Sequence, residues 1–336
     1  MPNLSPINAL RSGQWAKLIC GASYQHLPSI RNLVFVYTLA GADCFDVAAD
    51  PGVVTVAREA MDAARAINPD RSPWLMVSIN NGEDLHFRKA QFNPQVCVPD
   101  CGVPCQKVCP TDAIDPTGVI TDRCYGCGRC LSVCPVGIIE TREQVYNWRD
   151  LVDLPIDALE IHTTTDRIGE FAQLWQELAP WIRRLRLVAV SFPDHADLEA
   201  NLRQLLAVMN PPPQHLLWQT DGRPMSGDIG AGTTRQAIRL GEKVLNMNLP
   251  GFVQLAGGTN ATTVSKLQGL PVNGIAYGSY GRSLLADLFD RLPEGAKIEH
   301  FPLVLEEALD RARTLVIPLK NLHNINSYKP YVGHFA

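Results

Sequence analysis

The spacing of the cysteines constrains this chain more than any other feature of its sequence. Eight of the ten cysteines fall between positions 97 and 134, in two runs of four that each end in Cys-Pro. The second run, from Cys124 to Cys134, has the C-x2-C-x2-C-x3-C-P spacing of bacterial ferredoxins, in which three thiolates bind one iron-sulfur cluster and the fourth binds the other. The sequence therefore predicts a redox protein with two iron-sulfur clusters.

The first run departs from this spacing. It reads C-x3-C-x3-C-x3-C-P, with one extra residue in each of its first two intervals. The crossed ferredoxin pattern still divides the cysteines between two clusters, predicted to be [4Fe-4S], with [3Fe-4S] as the alternative for the first. The predicted ligands are Cys97, Cys101, Cys105 and Cys134 for the first cluster, and Cys109, Cys124, Cys127 and Cys130 for the second.

Zinc and disulfides are the competing explanations of the cysteines. Two zinc sites need only paired cysteines, and they explain neither the Cys-Pro ends nor the repeated run. The first six residues lack the pattern of a secretory signal peptide, so we expect a cytoplasmic protein with reduced thiols. Cys20 and Cys44 lie in apolar segments and are expected to be buried as small hydrophobic residues.

Composition narrows the classes of partner. The chain has 336 residues, 46% hydrophobic residues and a formal net charge of −4, which is typical of a globular protein. Acidic residues outnumber basic ones, so a nucleic-acid partner is not expected. No apolar run reaches the length of a membrane span.

The segments on both sides of the cysteines alternate between short apolar strands and amphipathic helices. Strands are predicted at 17–21, 44–49, 74–79, 158–162, 186–192, 215–220, 252–256 and 274–277. Helices are predicted at 27–40, 53–66, 168–185, 194–209, 233–245 and 262–267, with a closing helix from 282. Eight such units predict a (β/α)8 barrel of the TIM type, and an open doubly wound α/β sheet is the alternative.

The barrel prediction divides the chain into four parts. Residues 1–90 hold the first three strands, 91–142 a ferredoxin-like insert, 143–320 the other five strands, and 321–336 a C-terminal tail. Because loops that follow barrel strands lie on the C-terminal face, the clusters are expected at the mouth of the barrel.

Glycine-rich loops follow the last two predicted strands. In barrels these loops commonly bind phosphate, since glycines let backbone N–H groups approach the oxygens. A phosphate-bearing ligand such as flavin mononucleotide (FMN) is therefore a candidate, and tight strand-to-helix turns are the alternative. The candidate residues are Gly257, Gly258, Gly278, Ser279, Gly281 and Arg282.

No catalytic residue is identified by spacing. Polar residues near strand ends are Asp46, Asp50, Asn80, His162, Asp166, Gln219 and Asp221. Asp46 and His162 are better interpreted as hydrogen-bonded polar groups of the core. No lysine stands at the C-terminal end of a predicted strand, which disfavours a Schiff-base mechanism.

The whole chain resembles the light-dependent period (LdpA) family of cyanobacterial iron-sulfur proteins. The resemblance depends on the unusual run from Cys97 to Pro110, the regular run from Cys124 to Cys134, and Gly227-Asp-Ile-Gly-Ala-Gly232 in the C-terminal half. It implies two clusters held by the eight cysteines named above. It further implies that cellular redox state, and hence light, is relayed to the circadian clock through clock proteins and sensor histidine kinases.

The leading hypothesis is thus a redox sensor or electron carrier that works with an electron donor or acceptor and partner proteins. A flavin-linked iron-sulfur oxidoreductase, with a phosphate-bearing ligand at the barrel mouth, is the alternative.

Overall fold

Eight parallel strands close into a barrel in the computed structural model, which describes residues 5–82, 84–98, 100–223, 230 and 232–322. The barrel strands are β1 (Trp15–Gly21), β2 (Cys44–Ala48), β3 (Trp74–Asn80), β8 (Ala158–His162), β9 (Leu187–Phe192), β10 (Leu216–Asp221), β11 (Phe252–Ala256) and β12 (Gly274–Tyr277). The last strand pairs with the first, with Trp15 opposite Gly274 and Leu18 opposite Tyr277. The (β/α)8 barrel is confirmed, and the open sheet is excluded because no edge remains.

Helices cover the outside of the barrel. They are α1 (Pro6–Arg11), α2 (Leu27–Ala40), α3 (Pro51–Ile67), α6 (Ile168–Ile182), α7 (Leu198–Val208), α8 (Thr234–Asn246), α9 (Ser279–Phe289) and α10 (Pro302–Lys320). Two short helices, α4 (Pro104–Lys107) and α5 (Arg129–Val133), lie among the clustered cysteines. None of the helices in the described ranges is long and apolar enough to cross a membrane.

Several helix limits differ from those predicted. The predicted helix at 262–267 is only a 3-10 turn, Val264–Lys266. Helix α3 begins at Pro51 because the Asp50 carboxylate accepts hydrogen bonds from the N–H groups of Gly52 and Val53. The predicted closing helix is two helices, α9 and α10, separated by a loop in which Gly295 has a φ of +73°. Helix α1 was not predicted.

The segment from 81 to 157 joins β3 to β8 and contains all eight clustered cysteines. Strands β4 (Arg88–Gln91) and β7 (Glu140–Glu143) form an antiparallel ladder near its two ends. A second, two-residue ladder joins β5 (Ile114–Asp115) to β6 (Gly118–Val119). The predicted limits of the insert, 91 and 142, fall within β4 and β7, and the division into domains stays a prediction. The segment is called the insert below.

Two separate apolar cores hold the barrel together. The larger one lies between the outer face of the strands and the helices. The smaller one fills the N-terminal end of the barrel interior, where Trp15 and Trp74 meet edge to face and Ala9 and Leu10 of α1 pack against them. Further toward the C-terminal end the inward-facing side chains are polar and charged. The barrel interior is therefore apolar in its N-terminal half and polar in its C-terminal half.

Parts of two features of the sequence lie outside the described residues. Positions 227–229 and 231 of the glycine-rich motif, and the tail from 323 to 336, lie outside them.

Candidate functional site

The eight clustered cysteines form two groups of four in the insert. Four of them line one apolar pocket together with Phe92 and Ile138, and the other four line a second pocket with Ala90 and Ile114. The first group is Cys97, Cys101, Cys105 and Cys134. The second group is Cys109, Cys124, Cys127 and Cys130. The two groups have the membership that the crossed ferredoxin pattern predicts, although the assignment of these thiols as ligands stays a prediction.

Backbone conformation brings the second group together. Gly126 and Gly128 both adopt the left-handed region, with φ of +75° and +73°. A Cβ on Gly126 would collide with the carbonyl oxygen of Arg88, so the loop between Cys124 and Cys127 rests directly on the backbone of the β4 segment. The N–H of Ala90 donates to the sulfur of Cys124 at 3.4 Å, and the N–H of Ala113 to that of Cys109 at 3.2 Å.

The first group has a strained backbone where its spacing is irregular. Val103, between Cys101 and Cys105, has φ +44° and ψ +53°, a conformation that β-branched residues rarely adopt. Asp100 has a φ of +56°. The extra residues of the first two intervals therefore do not form a relaxed turn, and the strain lies directly beside predicted ligands.

The thiols of each group influence one another electrostatically. Burial and the neighbouring thiols of Cys127, Cys124 and Cys109 raise the pKa of Cys130 to about 12. Partial burial also acts to raise the pKa of Cys134, but the backbone N–H groups that follow it outweigh this and lower the pKa. Four crowded thiols ionise together only when a cation compensates their charge, so each group suits an iron-sulfur cluster, whose ligands are four thiolates.

The two remaining cysteines lie apart from these groups. Cys20 and Cys44 are fully buried in β1 and β2, as predicted. Burial raises the pKa of the Cys20 thiol to about 12, which makes it unreactive at neutral pH.

Arg282 joins the insert to the barrel. Its guanidinium lies 4.3 Å from the centre of the Tyr125 ring, donates to the carbonyl of Ile19 at 2.7 Å and donates to the hydroxyl of Ser279 at 3.2 Å. Tyr125 belongs to the outer core of the barrel, and Cys127 packs against that core. The second cysteine group thus lies at the junction between insert and barrel.

A cavity of about 300 Å³ opens beside this junction. Of the six candidate phosphate-binding residues, Ser279 and Arg282 line it. Gly257 closely approaches the backbone of Arg223, and a Cβ on Gly281 would lie 2.9 Å from Leu18. Among the described contacts these glycines, together with Gly258 beside Thr233, serve close packing, and their role in binding phosphate stays a prediction.

A network of buried polar groups crosses the barrel interior. The ammonium of Lys17 contacts the carboxylates of Asp46, at 3.2 Å, and Glu160. Gln219 donates to Glu160 at 2.6 Å and accepts from Gln254. Lys17 and Glu160 are 1% and 0% exposed, so both charges depend on these partners.

The network continues to the C-terminal mouth. His162 Nε2 lies 2.9 Å from Glu160 Oε1, and His162 Nδ1 lies 3.6 Å from Asp84 Oδ2. Asp84 Oδ1 lies 2.7 Å from His86 Nδ1. Burial acts to lower the pKa of His162, but the carboxylates of Asp84 and Glu160 raise it well above its ordinary value. Asp46 and His162 are therefore hydrogen-bonded polar groups of the core, as predicted.

The other polar candidates have separate positions. Asp221 accepts from Ser191 at the barrel mouth, and Gln219 belongs to the network. Asp50 caps α3 and accepts from Gln25, Asn80 donates to Glu143, and Asp166 is exposed. The structure thus brings together four of the seven: Asp46, His162, Gln219 and Asp221.

Sequence reasoning missed Lys17, Glu160, Asp84 and His86 as members of this site. Glu160 and His162 stand two positions apart in β8, a spacing that places both on the inner face of the barrel. A charged residue inside an otherwise apolar strand was therefore the available signal for Lys17 and Glu160. No local pattern indicated that Asp84 and His86 reach the same place.

Comparison with known proteins agrees with this architecture. Residues 97–145 match the family model described as the LdpA Fe-S cluster-binding domain, and residues 151–318 match the light dependent period A C-terminal domain. The fold and the cysteine site define an iron-sulfur protein built on a (β/α)8 barrel. The chain is 51% identical to light dependent period A of Synechococcus elongatus, over 94% of each chain. It belongs to the light dependent period A family, which confirms the resemblance.

Two further similarities are weaker. An uncharacterized ferredoxin of Methanocaldococcus jannaschii is 31% identical over 24% of this chain and 58% of its own length. The solved structure of geranylgeranylglyceryl phosphate synthase from Thermoplasma acidophilum aligns with a TM-score of 0.42 at 10% identity, covering 94% of this chain and 96% of that one.

Proposed function

We propose that this protein is a redox sensor that relays the redox and light state of the cell to the circadian clock through partner proteins. The observation that carries the proposal is the unequal placement of the two cysteine groups. The second group adjoins the barrel core through Tyr125 and Cys127, whereas no described residue that lines the pocket of the first group belongs to that core. Val98 and Val136 of that first pocket are 41% and 46% exposed.

This placement gives the two groups different tasks. An iron-sulfur cluster, when bound, supplies one-electron redox chemistry. Tyr125 and Cys127 pack the second group against the barrel core. The exposed valines beside the first group offer apolar contact area to a partner. The partners we propose are clock proteins and sensor histidine kinases, together with an electron donor or acceptor.

We further propose that each cysteine group holds a [4Fe-4S] cluster. Anaerobically purified protein would then contain about eight iron and eight sulfide ions per chain. A [3Fe-4S] cluster in the first group, where the backbone is strained, would lower the iron content to about seven and give a different EPR spectrum.

Potentiometric EPR tests the sensor proposal. We expect the cluster signals to change within the physiological range of potentials, and the affinity for a clock protein or sensor kinase to differ between the two ends of the titration. Cys97→Ser should remove the EPR signal of the first cluster and the difference in affinity between the two ends of the titration. Cys44→Ser, at a buried cysteine of the barrel, should retain both. Signals that stay constant over the range, or equal affinity at both ends, would contradict the proposal.

A second candidate function is that of a flavin-linked iron-sulfur oxidoreductase. The observation that favours it is the cavity beside the second cysteine group, since Ser279 and Arg282 of the predicted phosphate site line it with Tyr125. FMN bound there would lie next to the redox centre. Acid release of the cofactors from anaerobically purified protein, followed by flavin fluorescence, tests this function. One FMN per chain would support it, and protein with full iron content but without flavin, even after incubation with FMN, would exclude it.

A further inference from the structure

The barrel mouth contains a second cluster of metal-ligating side chains, separate from the cysteines. It consists of Asp84, His86 and His162, and one donor atom from each lies within 4.8 Å of the others. His162 ends barrel strand β8, whereas Asp84 and His86 belong to the start of the insert. The three side chains therefore meet only because the insert folds back over the mouth. We propose that Asp84, His86 and His162 bind one divalent transition-metal ion, such as Zn²⁺ or Fe²⁺.

Glu160 fixes the orientation of the His162 ring. Both oxygens of its carboxylate accept bonds, from Gln219 on one side and from Lys17 on the other. A carboxylate that is ionised can only accept, so His162 Nε2, at 2.9 Å, must be the donor. The other ring nitrogen, Nδ1, is then directed toward Asp84. Metal-binding histidines commonly have this arrangement, with a carboxylate on the nitrogen that does not bind the metal.

The distance between His162 Nδ1 and Asp84 Oδ2 supports an ion between them. At 3.6 Å it exceeds the length of a hydrogen bond. Two donor atoms that share a metal at about 2.1 Å are about 3.0–3.4 Å apart, which is close to the observed separation. His86 is only half-buried, so its ring can approach the ion without disturbing the core.

The charges of the mouth also favour a cation. Four carboxylates lie in the network or beside its histidines: Asp46, Glu160 and Asp221 are bonded within it, and Asp84 lies between His86 and His162. Lys17 is the permanent cation that contacts Asp46 and Glu160. Where these carboxylates are ionised and the imidazoles neutral, a divalent ion at the mouth offsets part of their negative charge. The donor set of two imidazoles and one carboxylate suits zinc or ferrous iron better than calcium or magnesium.

Zinc binding to the anaerobic protein with its clusters intact tests the proposal. We expect one Zn²⁺ per chain after dialysis against buffered zinc, with no loss of iron. Zinc K-edge absorption spectroscopy should show nitrogen and oxygen neighbours and no sulfur. His86→Gln and Asp84→Asn should each weaken zinc binding by more than the roughly 10- to 100-fold cost of a change outside the ligand shell. His300→Gln, at an exposed histidine of another loop, is the matched control and should leave it unchanged.

The iron content of each variant is the control for folding, since an unfolded insert would not retain iron. His86 is half-buried and lies outside the cysteine groups, so its substitution should leave the iron bound. Sulfur neighbours around the zinc, accompanied by loss of iron, would place the metal at the cysteines and overturn the proposal. Zinc binding by His86→Gln and Asp84→Asn equal to that of the unsubstituted protein would overturn it as well. So would the absence of bound zinc in protein that retains its iron, since protons alone would then occupy the ring nitrogens.

Discussion

Gly126 sets how closely the loop of the second cysteine group approaches the backbone of the insert. Its φ of +75° is accessible to glycine at little cost, and the carbonyl of Arg88 occupies the place of a side chain. Gly137 has a similar φ of +66°, but nothing lies within 4 Å of where its Cβ would be. An alanine at either position would therefore have a strained backbone, but only an alanine at Gly126 would also collide with a neighbouring residue.

We predict that Gly126→Ala prevents the second cysteine group from holding its iron. Gly137→Ala should retain nearly all of its iron, because it introduces only the left-handed strain of about 1–2 kcal/mol. Iron and sulfide analysis of the anaerobically purified variants measures the difference. Equal iron contents in the two variants would show that the contact with Arg88 is not required.

Lys17 is the residue whose charge the barrel interior most depends on. It lies between Asp46 and Glu160 in the middle of the barrel, and all three side chains are almost completely removed from solvent. Burial acts to lower the pKa of Lys17, but the two carboxylates raise it above its ordinary value, so the ammonium is charged at neutral pH.

Lys17→Met is expected to destabilise the protein by about 3–5 kcal/mol, because it leaves two buried carboxylates without their cation. Lys297→Met removes an ion pair with Glu59 in which both side chains are nearly half exposed, and it should cost less than about 1 kcal/mol. Urea unfolding followed by the far-UV signal of the barrel measures both values. A cost for Lys17→Met similar to that of Lys297→Met would mean that water or another cation compensates the carboxylates.

At the scale of elements, the insert is attached to the barrel by more than its two ends. Arg282, in the first turn of α9, reaches across to the Tyr125 ring and to the end of β1. Lys89 of β4 donates to Gln25 in the loop after β1. These contacts connect the second cysteine group to the strand ends where barrels bind their ligands.

Tyr125 and Arg282 should be energetically coupled. Tyr125→Leu and Arg282→Met are each expected to speed the release of iron to a chelator, since each detaches the cysteine loop from α9. The double variant should release iron about fivefold more slowly than the product of the two single effects, which corresponds to a coupling of about 1 kcal/mol. Release rates of the four proteins give this value.

The half-buried Trp148 and the exposed Arg149 make a contact of the same kind at 4.4 Å. This pair lies outside the junction with α9, so it is the control and should show a smaller coupling. Strictly multiplicative effects at Tyr125 and Arg282 would contradict the attachment.

At the scale of the whole molecule, barrel and insert differ in what holds them together. The barrel has two apolar cores, while the insert's own apolar cluster contains six buried residues in the part of the chain that the structure describes: Ala90, Ala113, Ile114, Cys124, Cys130 and Ile139. So small a core, two of whose members are predicted ligands, cannot offset the conformational entropy of the segment. Bound metal must supply the difference.

Removal of iron should therefore unfold the insert and leave the barrel folded. After chelation under reducing conditions we expect rapid hydrogen exchange at residues 97–139, while the barrel strands keep their protection. Protein treated with the same chelator without reductant, in which the clusters remain, is the control. Loss of protection in the barrel strands on iron removal would contradict the independence of the two parts.

The sequence by itself was sufficient for the barrel, because the alternation of apolar segments indicates strands such as β8 and β11. It also predicted the two groups of cysteines that line the two pockets, because intervals of two or three residues and the Cys-Pro ends indicate the crossed ferredoxin pattern. The predicted helix ends were less accurate because a helix end depends on the capping by a single side chain, such as that of Asp50.

Only the tertiary structure decided how the barrel interior and its mouth are arranged. Lys17 and Glu160 are 143 positions apart, and Arg282 and Ile19 are 263 apart, so no local pattern could indicate either contact. Asp84 and His86 meet His162 only when the insert folds over the mouth. Closure of the barrel brings all eight strand ends together, and the partners of its buried charges come from strands that are remote in sequence because every strand contributes to the same interior. The ligands Asp84 and His86 come from the insert and reach this interior only through its folding.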